Sequence, residues 1–500
     1  MLSTNAAVAA NRFGLGARPD DARAIGRDPR GWLDDQLVGA ARAERSRPSA
    51  PPASALALLQ ARDLQLTRAI ATRARAAVRS GGAARRSRAT EPGAEPPAGE
   101  QLPAINAAAL REFGQFVQGR YRAQIAERYR RAITAERPFV ERLVHFWSNH
   151  FAVSADKQPL GAIAGLYENE AIRPHVAGNF VDLLTAAEQH SAMILYLDNQ
   201  LSMGEHSTAA TFVRRRRGRE LGLNENLPRE ILELHTLGVD GGYTQADVIE
   251  LAKVLTGWTI GGDLGRGGGP RALLAGDTGA AGEFHFRAPL HEPGAKTVLG
   301  RTYKERGVEE GEAVLAALAL HPVTARHLAT KLARHFVADE PPAALVERLA
   351  QTYLHNDGEL VPVYEALIAA DEAWREPLTK YKTPHDLVVS TYRALDYVPD
   401  DLETVTALLT QLGQRPFTPG SPAGWPDTAG SWDGGDALLK RIEWAAAIGR
   451  AAGDRVEPGA LAEAVLGAAA GEHTYAGIRR AESAAQGLAL LFAAPEFQRR

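Results

Sequence analysis

Five residues in one short segment have side chains that could do chemistry together. The segment is LNENLPREILELH, residues 223–235, and the five are Glu225, Arg229, Glu230, Glu233 and His235. Carboxylates and imidazoles exchange protons or ligate divalent metal ions, and an arginine binds anionic groups. The segment is therefore a candidate site, with Glu230, His235 and Arg229 as catalytic residues and Glu225 and Glu233 as binding residues.

The helical periodicity of this segment predicts that two of these side chains are buried. With Pro228 in the first turn and 100° per residue, His235 falls between Ile231 and Leu232, and Glu230 falls among leucines. A buried carboxylate or imidazole needs a hydrogen-bonding or charged partner. We therefore expect Glu230 and His235 to have partners from other parts of the chain.

The remaining three charges of the segment can satisfy one another. Arg229 has Glu225 four residues before it and Glu233 four residues after it, a spacing that favours ion pairs along a helix. A helix with only a structural role would not need Glu230 and His235 in addition to these three charges. If they do chemistry, desolvation raises the pKa of Glu230 and brings the pair near neutrality, where it suits proton transfer.

A second buried histidine is predicted in FVERLVHFWSNHF, residues 139–151. His150 falls on the broad apolar face of this helix, whereas His145 falls on its polar side. If the two segments meet, His150, His235 and Glu230 form a two-histidine, one-carboxylate site for a divalent metal ion. Two alternatives are core histidines bonded to backbone carbonyls or spare carboxylates, and a metal-free site that moves protons or binds an anion.

Two other segments carry weaker signals. The helix predicted at residues 321–336 has Arg326, His327, Lys331 and Arg334 outside its apolar face, which favours a solvated basic face over an anion site. The segment at 413–435 contains Trp425 and Trp432 among prolines and glycines. It predicts an ordered, aromatic-anchored loop that either lies over a site or pins a long connection onto the core.

Composition limits the classes of function. There is no cysteine, so any bound metal must use His, Asp or Glu ligands, and a net charge of -3 gives no field to recruit nucleic acid. No run of 18 apolar residues occurs, so no membrane span is predicted. The first residues do not form a signal peptide pattern, and the expected location is cytoplasmic by default, with export left open as an alternative.

The periodicity predicts a mainly α fold, with one minor β-hairpin-like element at residues 283–300 and long loops. We expect an N-terminal helical lead-in over residues 1–78 and a main helical domain over residues 104–500. Between them, residues 79–103 are rich in Pro, Gly and Arg and have little to bury, which predicts a disordered insertion.

Several motifs together resemble the bacterial family catalogued as domain of unknown function 1800. The motifs are NRFGLGARP, HFWSNHF, the RPH of AIRPHVAGNF, ILYLDN, NENLPREILELHTLGVDGGYTQADV with LTGW, HPVTARHLATKLARHFV, and GQRPF with GWP. The resemblance spans nearly the whole chain and implies a helical protein, often encoded beside a sulfatase-like partner. It implies no reaction.

Two classes of function follow. One is an enzyme that does proton transfer or metal-assisted chemistry at a buried site of Glu230, His235, Arg229 and His150, covered by the loop of Trp425 and Trp432. The other is a non-catalytic binding or assembly partner of a sulfatase-like protein.

Overall fold

The computed structural model describes residues 2–45, 53–54, 57, 101–217, 222–262, 279–375 and 378–500. The fold is mainly α, as the periodicity predicts. Of the insertion predicted at 79–103, all but the last three residues lie outside the described residues. The domain division therefore stays a prediction. Among the described helices, none combines the length and the apolar character that a membrane crossing requires.

The described α-helices are numbered here in chain order. They are α1 (Thr4–Val8), α2 (Asp21–Ile25), α3 (Pro29–Arg45), α4 (Gln101–Thr134), α5 (Pro138–His150), α6 (Ala164–Tyr167), α7 (Phe180–Gln189), α8 (Ser191–Tyr196), α9 (Thr208–Arg217), α10 (Asn226–Glu230), α11 (Gln245–Val254), α12 (Val308–Ala319), α13 (Pro322–Phe336), α14 (Ala343–His355), α15 (Leu360–Ala369), α16 (Pro384–Ala394), α17 (Glu403–Gln411), α18 (Gly435–Ala452), α19 (Pro458–Val465), α20 (Glu472–Arg479) and α21 (Ala484–Ala493).

The β structure of the described residues consists of two small antiparallel sheets. Strand β1 (Trp258–Ile260) pairs with β2 (Phe284–Phe286), and β3 (Lys296–Val298) pairs with β4 (Arg301–Tyr303). The sequence predicts a hairpin within residues 283–300, and the structure places β2 and β3 there. These two strands pair with other segments, because a short 3-10 turn at Ala288–Leu290 separates them.

In the part of the chain that the structure describes, three five-residue π-turns extend short helices, at Ala9–Phe13, Glu168–Ile172 and Ile231–His235. A π-turn bonds each N–H to the carbonyl five residues back and so rotates the residues that follow relative to an α-helix. The third π-turn lies within the candidate segment. At 100° per residue, Thr236 falls on the polar side of the helix. In the structure Thr236 is fully buried, and its hydroxyl donates to Ile231 O at 2.6 Å.

Helices α5 and α13 are held together by an aromatic cluster in the core. The rings of Phe139 and Phe336 have centroids 5.7 Å apart, and Phe13 of the N-terminal π-turn lies 5.7 and 5.8 Å from them. All three side chains are fully buried. The apolar faces of both helices meet here. Their polar faces therefore lie to one side of the core, where they form one wall of a cavity.

The start of α16 is fixed by an N-terminal cap in TPHD, residues 383–386. Thr383 is the N-cap and its hydroxyl accepts from the Asp386 N–H at 3.1 Å, while Pro384 occupies the first turn. Proline suits this position because its missing N–H would have no helical partner. The cap therefore fixes the direction in which His385 and Asp386 leave the backbone.

The N-terminal motif NRFGLG packs against α5 and α16 through two buried arginines. Arg142 Nε donates to Gly14 O at 2.6 Å, and Arg393 Nε donates to Gly16 O at 2.9 Å. Gly16 has a φ of +102°, and a Cβ there would lie 2.4 Å from Ser390 Cβ. Only glycine fits this approach, so the motif serves to lock the polar helices α5 and α16 in place.

Candidate functional site

A cavity of about 340 Å³ lies among α4, α5, α13, the first turn of α16 and the loop at residues 414–428. Its lining includes charged and histidine side chains, although the helices that form it belong to the core of the protein. Its charged lining residues are the cations Arg128, Arg142, Lys331 and Arg334 and the carboxylates Asp386 and Asp427. Cations therefore outnumber carboxylates, and the cavity favours an anionic ligand.

His335 on α13 faces this cavity with one ring nitrogen held and the other unpartnered. Its Nδ1 lies 2.7 Å from Asp427 Oδ2, and because a carboxylate only accepts, Nδ1 carries the proton. Nε2 then presents a lone pair, and it is buried without a hydrogen-bond partner among the described residues. Burial lowers the pKa of His335 to about 4, although Asp427 opposes the shift, so the ring is neutral at pH 7.

Lys331 lies one helical turn before His335 on the same face of α13. It lines the cavity and forms no hydrogen bond or ion pair with any described residue. Burial lowers the pKa of its ammonium group to about 8, against the attraction of Asp427. Arg334 lies beside it and donates through Nε to Asp339 O at 3.1 Å, which leaves its terminal nitrogens without an acceptor in the described part of the chain. Lys331 and Arg334 are therefore candidate residues for binding an anion.

A second unpartnered imidazole nitrogen belongs to His150, at the end of α5. His150 Nε2 donates to the backbone oxygen of His235 at 3.1 Å, so Nε2 carries the proton of the neutral ring. Its Nδ1 is buried and has no hydrogen-bond partner among the described residues, and the residue lines the cavity. Burial lowers the pKa of His150 well below its ordinary value, and the charge of Lys331 adds to the effect.

The loop at residues 414–428 closes one side of the cavity with aromatic side chains. Trp425 and Phe417 both line the cavity. Trp432 does not line it, but its ring lies 6.1 Å from that of Trp425 and its Nε1 donates to Pro426 O at 2.9 Å. Trp432 therefore supports the loop, whereas Trp425 faces the site.

A buried ion network holds the floor of the cavity. The carboxylate of Asp386 accepts from Arg142 Nη1 at 3.1 Å and from Arg500 Nε at 3.0 Å, and all three side chains are almost fully buried. Arg500 Nη2 also lies 3.3 Å from Asp427 Oδ1. The burial of Asp386 alone would raise its pKa, but the two arginines hold it well below the ordinary value. The network thus fixes Asp427 as well.

The segment 223–235 lies next to this cavity and does not line it. Arg229 lies 3.0 Å from Glu225 and 3.7 Å from Glu233, which is the expected ladder. Glu230 is half-buried and forms no hydrogen bond or ion pair with a described residue. Burial raises the pKa of Glu230, as its position in the sequence predicts.

The partner of His235 comes from another helix. His235 Nδ1 lies 2.7 Å from Glu188 Oε1 of α7, and both side chains are completely buried. The backbone of the π-turn binds the cavity helices, because its carbonyls at Leu234 and His235 accept from His327 and His150 at 3.2 and 3.1 Å. The segment thus positions His150, while the catalytic roles assigned to Glu230, His235 and Arg229 stay predictions.

The metal hypothesis also stays a prediction. The rings of His150 and His235 have centroids 6.0 Å apart, so the two segments do meet. However, His150 uses Nε2 on a carbonyl, and His235 faces Glu188 rather than Glu230. Within the ranges that the structure describes, no three His, Asp or Glu side chains form a group that could hold a metal ion.

Sequence reasoning misses the residues that the cavity brings together. Of the basic face predicted on α13, Arg326 is exposed, whereas Lys331 and Arg334 line the cavity. The loop that carries Asp427 covers that side, and nothing local to either segment indicates the contact. The one available signal is the Lys331–His335 spacing of four residues, which puts an ammonium group and an imidazole on one face.

The model of one protein family matches residues 8–499, nearly the whole chain, and the description of that family is Protein of unknown function (DUF1800). The resemblance inferred from the motifs is therefore confirmed. No curated protein and no solved structure matches the chain.

Proposed function

The chain belongs to the DUF1800 family, and we propose that it is an enzyme that binds a small anionic substrate in the cavity and removes a proton from it. Lys331 and Arg334 anchor the anion, and His335, oriented by Asp427, is the general base. The observation that carries the proposal is the unpartnered Nε2 of His335, one helical turn from the unpaired ammonium group of Lys331.

The proposed step needs little rearrangement. A proton leaves a C–H or O–H group of the substrate and binds His335 Nε2, and the carboxylate of Asp427 stabilises the imidazolium that forms. Burial keeps the pKa of His335 low in spite of Asp427, and an anion bound on Lys331 adds a second negative charge that raises this pKa toward neutrality. Substrate binding therefore increases the proton affinity of His335.

A two-stage experiment tests the proposal. Sulfate, inorganic phosphate and a panel of small carboxylates are screened by thermal melting, and those that bind are incubated in D2O and followed by proton NMR. We expect Lys331→Met to abolish the melting shift. His335→Gln should keep the shift and slow deuterium incorporation by about 10²-fold or more, the usual contribution of a general base.

The control variant is Arg326→Met on the same helix. Arg326 is exposed and pairs with Glu347 outside the cavity, so both readouts should remain those of the wild type. The proposal fails if no anion in the panel shifts the melting temperature of the wild type. It also fails if His335→Gln incorporates deuterium as fast as the wild type does.

The non-catalytic alternative, a binding or assembly partner of a sulfatase-like protein, stays a prediction. The surface most suited to it is an apolar strip on α18, where Leu438, Leu439 and Ile442 are each about half exposed. Exposed apolar side chains that recur along one helix favour contact with another surface.

A further inference from the structure

A row of hydrogen-bonding side chains runs along the cavity wall formed by α4, α16 and α5. Tyr129 Oη lies 2.8 Å from His385 Nδ1, and His385 Nε2 lies 3.0 Å from His145 Nδ1. His145 Nε2 lies 3.4 Å from Glu141 Oε1, an ion-pair contact that lacks hydrogen-bond alignment, and Glu141 accepts from Arg173 Nη2 at 2.8 Å. Three members, Tyr129, His385 and His145, line the cavity, whereas Glu141 and Arg173 lie outside it.

The chemistry of the groups gives every bond in this row the same direction. Glu141 is a carboxylate held by Arg173, so the nitrogen of His145 that faces it, Nε2, carries a proton. The Nδ1 of His145 must then accept, and His385 Nε2 donates to it. The Nδ1 of His385 accepts in turn from the hydroxyl of Tyr129. Both rings therefore have the same tautomer, and each donates toward Glu141.

We propose that this row, the histidine relay, carries protons between the cavity and the outer pair of Glu141 and Arg173. A proton that reaches Tyr129 Oη displaces the hydroxyl proton to His385 Nδ1. The Nε2 proton of His385 moves to His145 Nδ1. The 3.4 Å contact between His145 Nε2 and Glu141 Oε1 closes to a hydrogen bond, and the Nε2 proton of His145 moves to Glu141 Oε1. Each ring ends neutral with its tautomer reversed, and Glu141 has gained the one proton.

The pKa values of the groups in the row favour passing a proton on rather than retaining it. Burial lowers the pKa of both His145 and His385, and the nearby guanidinium of Arg128 lowers them further, so neither ring stays charged. Burial would raise the pKa of Glu141, but its contacts with Arg173 and His145 outweigh it and lower the pKa. A proton that arrives on Glu141 is therefore released, and the side chain of Arg173 is 25% exposed.

The relay extends the proposed function, because a base in a closed cavity must release the proton that it takes from the substrate. A purely structural ladder would have the same hydrogen bonds but a different response to mutation. In a relay, ring protons of His385 exchange with solvent along the row, so breaking the row slows that exchange. In a structural ladder, breaking the row loosens the packing and speeds the exchange.

The experiment measures the exchange of the His385 Nε2 proton with water by NMR, in protein with ¹⁵N-labelled histidine and no ligand. We expect Glu141→Gln to slow this exchange by about tenfold or more, since the proton then leaves only through local opening. His145→Gln, whose amide cannot relay a proton, should do the same if the first variant folds poorly. Glu170→Gln is the matched control, because Glu170 contacts His190, outside the row.

Unchanged or faster exchange in both relay variants would overturn the relay, because protons would then reach His385 directly from cavity water or by opening. The measurement needs no anion, whereas the test of the proposed function depends on anion binding. A failure of one is therefore distinguishable from a failure of the other.

Discussion

The side-chain amide of Asn149 forms hydrogen bonds with both backbone groups of Trp425, the N–H and the carbonyl. The Trp425 N–H donates to Asn149 Oδ1 at 2.7 Å, and Asn149 Nδ2 donates to Trp425 O at 2.9 Å. A side-chain amide can pair in this way with a backbone because it has a donor and an acceptor side by side. The clamp fixes the aromatic loop to the last turn of α5, beside His150.

Asn149→Ala should release the loop while the helices stay folded. The loss of two partly buried hydrogen bonds should cost about 1–3 kcal/mol of unfolding free energy, measured by chemical denaturation. Trp425 should become more exposed, which shifts its fluorescence emission to the red relative to the wild type. Asn356→Ala is a suitable control, because the exposed side chain of Asn356 donates only to Thr352 O at the end of α14. An unshifted emission spectrum would contradict the clamp.

Gly424→Ala should be the most damaging single change in the loop. Gly424 has a φ of +80°, and a Cβ there would lie 2.3 Å from the backbone oxygen of Asn149. The strain and the clash together should cost about 1–3 kcal/mol and displace Trp425. Gly420→Ala is the matched control, since a Cβ there meets nothing within 4 Å. If the two variants melt at the same temperature, the loop does not approach Asn149 as closely as described.

Anion binding should weaken as the pH rises through the pKa of Lys331, which burial lowers to about 8. Below that pKa the ammonium group is charged and attracts the anion, and above it the group is neutral. Isothermal titration with sulfate, whose charge is constant, should therefore show falling affinity from pH 7 to pH 9. Lys331→Arg should retain its affinity over this range, because a guanidinium stays protonated. A parallel loss in both proteins would assign the pH dependence to another group.

Asp386→Asn should destabilise the fold strongly. The change removes the carboxylate that compensates Arg142 and Arg500, both of which are almost fully buried. Breaking a buried ion pair at one partner typically costs about 3–5 kcal/mol, and denaturant titration would measure it. Asp371→Asn removes an exposed partner of Arg30 and should change stability by less than about 1 kcal/mol. Equal effects of the two substitutions would show that the buried network is not holding the floor of the cavity.

The local features of this fold were predictable because they depend on near neighbours in sequence. The caps at Thr383 and Thr244 follow from side chains that reach N–H groups three residues away. The division of α5 into an apolar and a polar side is also correct, since it needs only the helical period. The helical period does not show whether the polar side of a helix is exposed to solvent. On the polar side of α5, Glu141, Arg142 and His145 are buried.

The site itself depends on contacts between distant segments. Asp427 follows His335 by 92 residues, and His385 follows His145 by 240. Neither pairing leaves a local pattern. In the candidate segment at 223–235, a π-turn changes the rotation per residue, which a wheel of 100° per residue does not include.

Trp425 and Asp427 are two residues apart on one segment. This spacing links the covering of the cavity to the orientation of His335. The segment that covers the cavity also holds the proton on Nδ1 of His335. If the segment moves away, the cavity opens and the ring loses the partner that sets its tautomer. In the proposed function this segment has two roles, because the same stretch of chain covers the bound anion and orients the imidazole that takes the proton.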